Sequence, residues 1–589
     1  MTAGMHLAEV GCEVYLVEAG PAIGGSMHLL DHTFPTDSCG ICLMLPRQPS
    51  YCPTFECERR EGVELRPYCE LVGLEGEGGR FRARVWHKPR YVDLGRCNGC
   101  GVCGEVCPVV RPHDHEGWLA PVKAIYRPAG LRVVPDGWVI DMGYCIRCGA
   151  CEEACPEGAV DLGMEGKEEE VEVGAVVLAP GFAPCDARRK GEYGYGVYAN
   201  VVTALEFERM VSLAGSRRGA VVRPSDGGEV RRLAFVQCVG SRDWRVGAGY
   251  CSSVCCLYTG KQVALAKKVA PEVEVTVFFM DLRAMGKGME AYIEGVRALP
   301  GVRYCRSIPS RVHWQPGTEE LVVRYVGEKG ELVEERFDLV VLAVGLAAPR
   351  GMEEVAARVG VRLNEYGFAE GEGGHPTRSG KEGVFVAGAF REPKDIPETV
   401  IEAAAVAAEV AAYLGGGKER RERVQEVALR EVGEEEARVG VLVVDGKEEG
   451  TGLDLRGLAA WAAELPGVVM ARLVGGEVEV ERAIEEGKLN RVVVVDGGRP
   501  WQAAGWEAMM RRAGLDPRLL VRVNLREEVV RPHWGRGEVQ AKAESLVGMA
   551  VAGLRSMVGV EALASGGVQE VRRRALVVGG GAAGMAAAL

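Results

Sequence analysis

One tetrad of cysteines occurs twice in this chain. Cys97, Cys100, Cys103 and Cys107 precede Pro108, and Cys145, Cys148, Cys151 and Cys155 precede Pro156, both spaced C-x2-C-x2-C-x3-C-P. No other feature restricts the region as much. Three thiols at two-residue gaps share one tight loop and can take three corners of one cubane, while the fourth, just before proline, reaches the iron of a second. Gly99, Gly101, Gly149 and Ala150 lie between the thiols, small enough to let backbone N–H groups approach sulfur. Zinc takes four ligands in one tetrahedron, which suits eight cysteines in doubled form poorly. The spacing therefore predicts two 4Fe–4S clusters in a bacterial-type two-cluster ferredoxin module.

All 20 cysteines fall at or before Cys305. Clustered thiols suggest metal or redox centres before structural disulfides. A second set, Cys238, Cys251, Cys255 and Cys256, suits an iron–sulfur site by ligand softness. Adjacent cysteines are awkward on one cubane, and from spacing alone a set of buried thiols is an equal reading. A third set, Cys39, Cys42, Cys52 and Cys57, reads as a cluster, a zinc site or a dithiol near a flavin. Cys12, Cys69, Cys185 and Cys305 stand apart and read as buried apolar thiols. The net charge of −12 argues against nucleic acid, whose affinity rests on excess Lys and Arg. No run of 18 apolar residues predicts a membrane span, and the start lacks a signal-peptide layout. A cytoplasmic protein is expected.

Around the module the pattern is α/β. A helix over 1–10 precedes a strand over 13–17, and Glu18 follows where a Rossmann unit places its ribose-binding carboxylate. Gly24 and Gly25 come next. Residues 575–589, ALVVGGGAAGMAAAL, read as strand, then Gly579, Gly581 and Gly584 in G-x-G-x-x-G spacing, then the first residues of a helix. Start and end thus meet at one point of a Rossmann repeat. The expectation is a cut inside a longer tandem protein, with a split protein as the alternative. Strands over 174–181, 338–345 and 383–388 end on Gly181, Gly345 and Gly388. Asp395, Ile396 and Pro397 open an Ala-rich helix to about 413, whose N-terminus would favour an anionic reduced flavin. In this order the motifs predict FAD. The middle domain begins with a strand over 232–238, but its turn is CVGSRD and lacks a Gly-rich loop, so nicotinamide binding there is not expected.

HTFPTDSCGIC (32–42), KPRYVD, KGEYGYG (190–196), LEFERM, RPSDG, FVQCVGSRD, YCSSVCCLY, FFMDLRAMGKG, VLAVGL and EPKDIPETV occur together. With them the chain resembles the A-type flavoprotein of heterodisulfide reductases along nearly its whole length. The resemblance implies a thioredoxin-reductase-like fold of two dinucleotide-binding domains, with the ferredoxin module inserted in the FAD domain. It implies a 4Fe–4S cluster on Cys238, Cys251, Cys255 and Cys256, and places Lys261 and Glu208 near the isoalloxazine, where a charge could tune it. It implies a hetero-oligomer with heterodisulfide reductase B- and C-like subunits and an electron-input protein, hydrogenase- or dehydrogenase-linked. The flavin would split electron pairs into single-electron cluster chains. One departure is clear: in the small domain after residue 438 the family's cysteine positions read Val444 and Gly446, and none lies near Gly497.

The expected organisation is an α/β protein. FAD-domain segments cover 1–88, 169–228 and 351–415, interrupted by the α+β ferredoxin module at 89–168. A dinucleotide-domain-like region with its own cysteine set covers 229–350. A charged, helix-prone linker at 416–437 leads to a small α/β domain at 438–562, and 573–589 begins another Rossmann unit. The expected function is electron transfer in an oxidoreductase complex. Rival readings are an iron–sulfur scaffold with an incomplete flavin site, a component of a benzoyl-CoA-reductase-type complex, and a stand-alone NAD(P)H-dependent disulfide reductase. The last is disfavoured by the missing glycine loop.

Overall fold

Strands Arg80–His87 and Lys167–Val173 run antiparallel with His87 opposite Lys167. The cysteine module therefore leaves and re-enters the chain's frame at two paired residues, as an insertion must. Strand Cys69–Glu77 completes this three-stranded meander. A computed structural model describes residues 1–30, 32–33, 38–39, 60, 62–113, 116–128, 134–213, 215–415, 429–430, 432, 435–444, 453–497, 503–533 and 538–557. The chain divides into two compact units, Met1–Arg420 and Arg421–Leu589.

In the first unit, helix Thr2–Glu9 precedes strand Val14–Glu18, which pairs in parallel with Val63–Pro67. Strands Val176–Leu178 and Val384–Val386 form a second parallel pair. Residues of both pairs, including Val14, Val177 and Phe385, pack with Leu7 against Val406 and Val410 of helix Ile396–Tyr413. The expected strand over 13–17 is thus found one residue later, and the one over 174–181 is shorter at both ends.

A five-stranded parallel sheet follows, ordered Val201–Thr203, Leu339–Val344, Arg232–Val239, Glu274–Phe278, Val302–Cys305. Strand alternation explains its two-sided burial. Leu233 and Phe235 face helices Ala204–Val211 and Cys255–Val269, meeting Phe207, Met210 and Val263. Ala234 and Val236 face the other way, with Val323, Tyr325 and Phe337. Burying each large apolar side chain contributes about 1.5–3 kcal/mol. The sheet takes in strand Val201–Thr203, so it draws on residues before 229, where sequence reasoning began this region.

The second unit holds a parallel sheet ordered Val468–Val474, Val439–Val444, Arg491–Asp496, Leu520–Asn524. Its strands are near-continuous apolar runs because both faces are covered. Val441 and Val443 meet Leu458 and Val547, while Leu442 meets Val480 and Met509. Val444 ends the first strand. Most of the linker expected at 416–437 lies outside the described residues. Among the described residues no helix is long and apolar enough to cross a membrane.

Candidate functional site

The two cysteine runs fold as near copies. In each, a left-handed glycine, Gly101 at φ 91° or Gly149 at φ 82°, caps a short helix, Val102–Val106 or Ala150–Glu153. Two residues earlier the chain is also left-handed, through Gly99 at φ 77° and Arg147 at φ 54°. These turns wrap the loop around a hollow. The first hollow is lined by Cys97, Cys100, Cys103 and Cys155. The second is lined by Cys107, Cys145, Cys148 and Cys151. The fourth cysteine of each run thus crosses to the other run's hollow, the exchange expected from the spacing.

Both hollows suit iron–sulfur clusters by donor chemistry. Burial, then Cys97 and Cys100, pushes the Cys103 thiol up to about 12. Burial, then Cys145, pushes Cys151 up to about 11. Thiolates crowded in an apolar pocket need a cationic partner, and a bound metal reverses the local pKa balance. Backbone N–H groups already address sulfur, Ala159 to Cys155 at 3.2 Å and Arg147 to Cys145 at 3.4 Å. Among the described residues no three His, Cys, Asp or Glu side chains converge as single-ion ligands.

The second set gathers at the end of strand Arg232–Val239. The ladder slips between Val236 and Val239, and Cys238 takes φ 61°. Cys255 and Cys256 open helix Cys255–Val269, whose N-terminal partial charge favours thiolates. Cys238 is pushed up to about 11 by burial, then by Cys256, with Cys251 adding to it and Arg242 opposing. The awkward pair diverges: Cys255 Sγ points to the Val344 carbonyl at 3.8 Å and Cys256 Sγ to that of Asp281 at 4.0 Å. Cys185, expected to stand apart, donates to the Gly240 carbonyl at 2.9 Å, beside the turn that carries Cys238.

Lys261 and Glu208 meet across helices Cys255–Val269 and Ala204–Val211. Nζ lies 2.5 Å from Oε1, and Gln262 Nε2 donates to the other oxygen at 3.0 Å. Both side chains are buried. They form an ion pair, where sequence reasoning treated each as a charge available for tuning.

The expected flavin contacts are spread over several loops. Glu18 ends its strand and accepts the Gly20 N–H at 2.7 Å, and burial raises its pKa against Gly20 and Lys88. Gly24 and Gly25 are left-handed at φ 115° and 53°. Gly181 and Gly388, at φ 79° and 73°, follow the C-terminal ends of one parallel strand pair, the edge at which open α/β sheets take ligands. Asp395 caps helix Ile396–Tyr413 reciprocally with Glu398, and Pro397 stands in the first turn. These positions suit a flavin by open backbone and a helix N-terminus. Gly579, Gly581 and Gly584 lie outside the described residues, as do Cys42, Cys52 and Cys57. Cys39 is described only through its backbone, in strand Ser38–Cys39.

Two polar groupings escaped sequence reasoning. Cys69 Sγ stands 3.2 Å from His87 Nδ1, and His87 Nε2 stands 2.7 Å from Glu169. Cys69 is 2% exposed, the buried thiol expected, but its surroundings are polar, because the ladder runs from it to the half-buried His87 and Glu169. Cross-strand register joins Cys69 to His87, and no local motif reports register. Glu116 of the module pairs with Arg209 at 2.7 Å, both buried, and accepts the Ser216 N–H at 3.0 Å.

Residues 93–159 match the family model of the 4Fe-4S dicluster domain. The second of the iron-sulfur A subunits of CoB–CoM heterodisulfide reductase in Methanopyrus kandleri is 43% identical over 420 residues, 71% of this chain and 63% of that protein. The corresponding A-type protein of Methanocaldococcus jannaschii is 40% identical over 435 residues, 73% of this chain and 65% of that one. Over this stretch the chain is similar to the A subunits of heterodisulfide reductases. The A-type component of the H(2):CoB-CoM heterodisulfide,ferredoxin reductase of Methanothermobacter marburgensis is 38% identical over 411 residues, 69% of this chain and 61% of its own length. The chain therefore spans less than two thirds of each of these heterodisulfide reductase proteins. Among solved structures, Lactococcus lactis thioredoxin reductase shows a distant likeness, with TM-score 0.37 and 15% identity over 70% of this chain and 95% of that one.

Proposed function

We propose that this chain is the FAD- and 4Fe–4S-containing electron-transfer subunit of a heterodisulfide-reductase-like oxidoreductase complex. The carrying observation is the pair of four-thiol hollows on a module inserted between paired strands. Cys97, Cys100, Cys103 and Cys155 hold one cluster, and Cys107, Cys145, Cys148 and Cys151 another. Cys238, Cys251, Cys255 and Cys256 hold a third at a helix N-terminus. Glu18 addresses the ribose of FAD, Gly24, Gly25, Gly181 and Gly388 admit its close approach, and Asp395 to Pro397 set a helix N-terminus against it. Bound FAD exchanges electrons in pairs or singly, and each cluster carries one. Lys261 and Glu208 keep a neutralised charge pair between helices beside the third thiol set.

The relatives' names speak of a heterodisulfide and, in one case, of ferredoxin as well. Two acceptors of different kind support electron bifurcation as the finer proposal. The partners are B- and C-like subunits and an electron-input protein. Anaerobic purification with iron, sulfide and flavin counting tests the reading. About twelve irons, at four per cubane, and one FAD are expected. About eight irons would remove the third site, and colourless, zinc-loaded protein would overturn the assignment.

A further inference from the structure

We infer that Trp138 is a hydrogen-bond donor to the cluster held by Cys97, Cys100, Cys103 and Cys155, and that it raises that cluster's reduction potential. The inference rests on the cluster reading of the first hollow. Trp138 lines that hollow with the four thiols. Its ring lies against their loop: a Cβ on Gly104 would stand 2.7 Å from it, and one on Gly101 3.6 Å. Gly104 is what allows an indole so close to the thiol loop, because a Cβ there would collide with the ring, whereas at Gly101 it would make an ordinary contact.

The indole Nε1 is buried and has no hydrogen-bond partner among the described residues. An indole N–H can donate but not accept. Buried ones usually find a partner, and one left without is costly. Asn98 and Glu157 also line the hollow, but neither bonds the indole, which leaves thiolate and cluster sulfur as its acceptors. The second hollow is different. Among the described residues its lining side chains besides the thiols are apolar, including Ile125, Ile140, Ile146 and Leu162, and none of these carries an N–H or O–H donor.

Hydrogen bonds to cluster sulfur set potential. Reduction adds negative charge, so a donor favours the reduced cluster. Glu157 also lines the first hollow and acts with the opposite sign, but Asn98 Nδ2 donates to its carboxylate at 2.9 Å. Trp138 thus distinguishes two clusters whose ligand sets are alike.

Trp138→Phe keeps a ring and removes the N–H. In the full chain, with iron and sulfide counted, an EPR-monitored reductive titration is expected to show one cluster harder to reduce by roughly tenfold, ~59 mV for one electron. The other clusters should not move. Wild-type protein carrying 15N-labelled tryptophan should show, by ENDOR, nitrogen and an exchangeable proton coupled to one reduced cluster, both lost in the variant. Unmoved potentials at full iron content overturn the proposal, as does a wild type without that coupling. The coupling alone decides if the variant does not retain iron. A wild type lacking iron and sulfide would instead overturn the cluster reading.

Discussion

Lys261 and Glu208 meet where water scarcely reaches, with side chains 9% and 1% exposed. Removing one partner of a buried pair leaves an uncompensated charge, at a cost of about 3–5 kcal/mol. Glu208→Gln should therefore lower stability by that order in anaerobic urea unfolding at matched cluster content. Glu208→Leu combined with Lys261→Met should recover most of the loss, because no charge stays buried. Cys69 makes a different prediction. Burial pushes its thiol from 9.0 up to about 11, so the folded state holds this proton more tightly than the unfolded one. The resulting stability is fully present below pH 9.0 and is lost as pH rises through about 11. Cys69→Val should flatten that stretch of the stability–pH curve, measured by chemical unfolding. Neither arrangement was legible from residue identity. Helix packing pairs Lys261 with Glu208, and cross-strand register brings Cys69 to His87, while sequence patterns report only neighbours along the chain.

Elements with a local cause were the ones sequence could place. Asp395 and Pro397 marked the start of helix Ile396–Tyr413, and the reciprocal cap with Glu398 is there. Asp395→Ala should cost about 1 kcal/mol, read as a lower melting temperature of the full chain, with release of any bound flavin as a second readout. The thiol loops are equally local. Gly149 at φ 82° begins its helix in the left-handed region, where a Cβ costs roughly 1–2 kcal/mol. Gly149→Ala should destabilise the module by that amount and speed iron loss to a chelator. Strand limits were less legible. Val176–Leu178 is shorter than its apolar run, since backbone pairing ends where the neighbouring strand ends, whatever the side chains allow.

At the scale of the molecule, the insertion point is the informative feature. His87 and Lys167 face one another across antiparallel strands, and such strands can be joined by a two-residue turn. Replacing residues 88–166 by such a turn should leave a folded core that has lost about eight irons, at four per cubane. The core must also carry Arg209→Met, because Arg209 otherwise stays buried without Glu116. Failure of that shortened chain to unfold cooperatively would show that the module is part of the core. The second unit contains no cysteine, so truncation at residue 420 should leave iron per chain unchanged.

Spacing alone determined the thiol tetrads, their exchange of fourth members and the cysteine-free second unit, because those properties reside in short loops and in residue identity. Only the tertiary structure decided the Lys261–Glu208 pair, the Cys69–His87–Glu169 ladder, the Glu116–Arg209 clasp and the placing of Trp138 over the first thiol loop. Each joins residues far apart in the chain, and their meeting depends on strand register and helix packing, which arise only once the apolar faces have closed on one another.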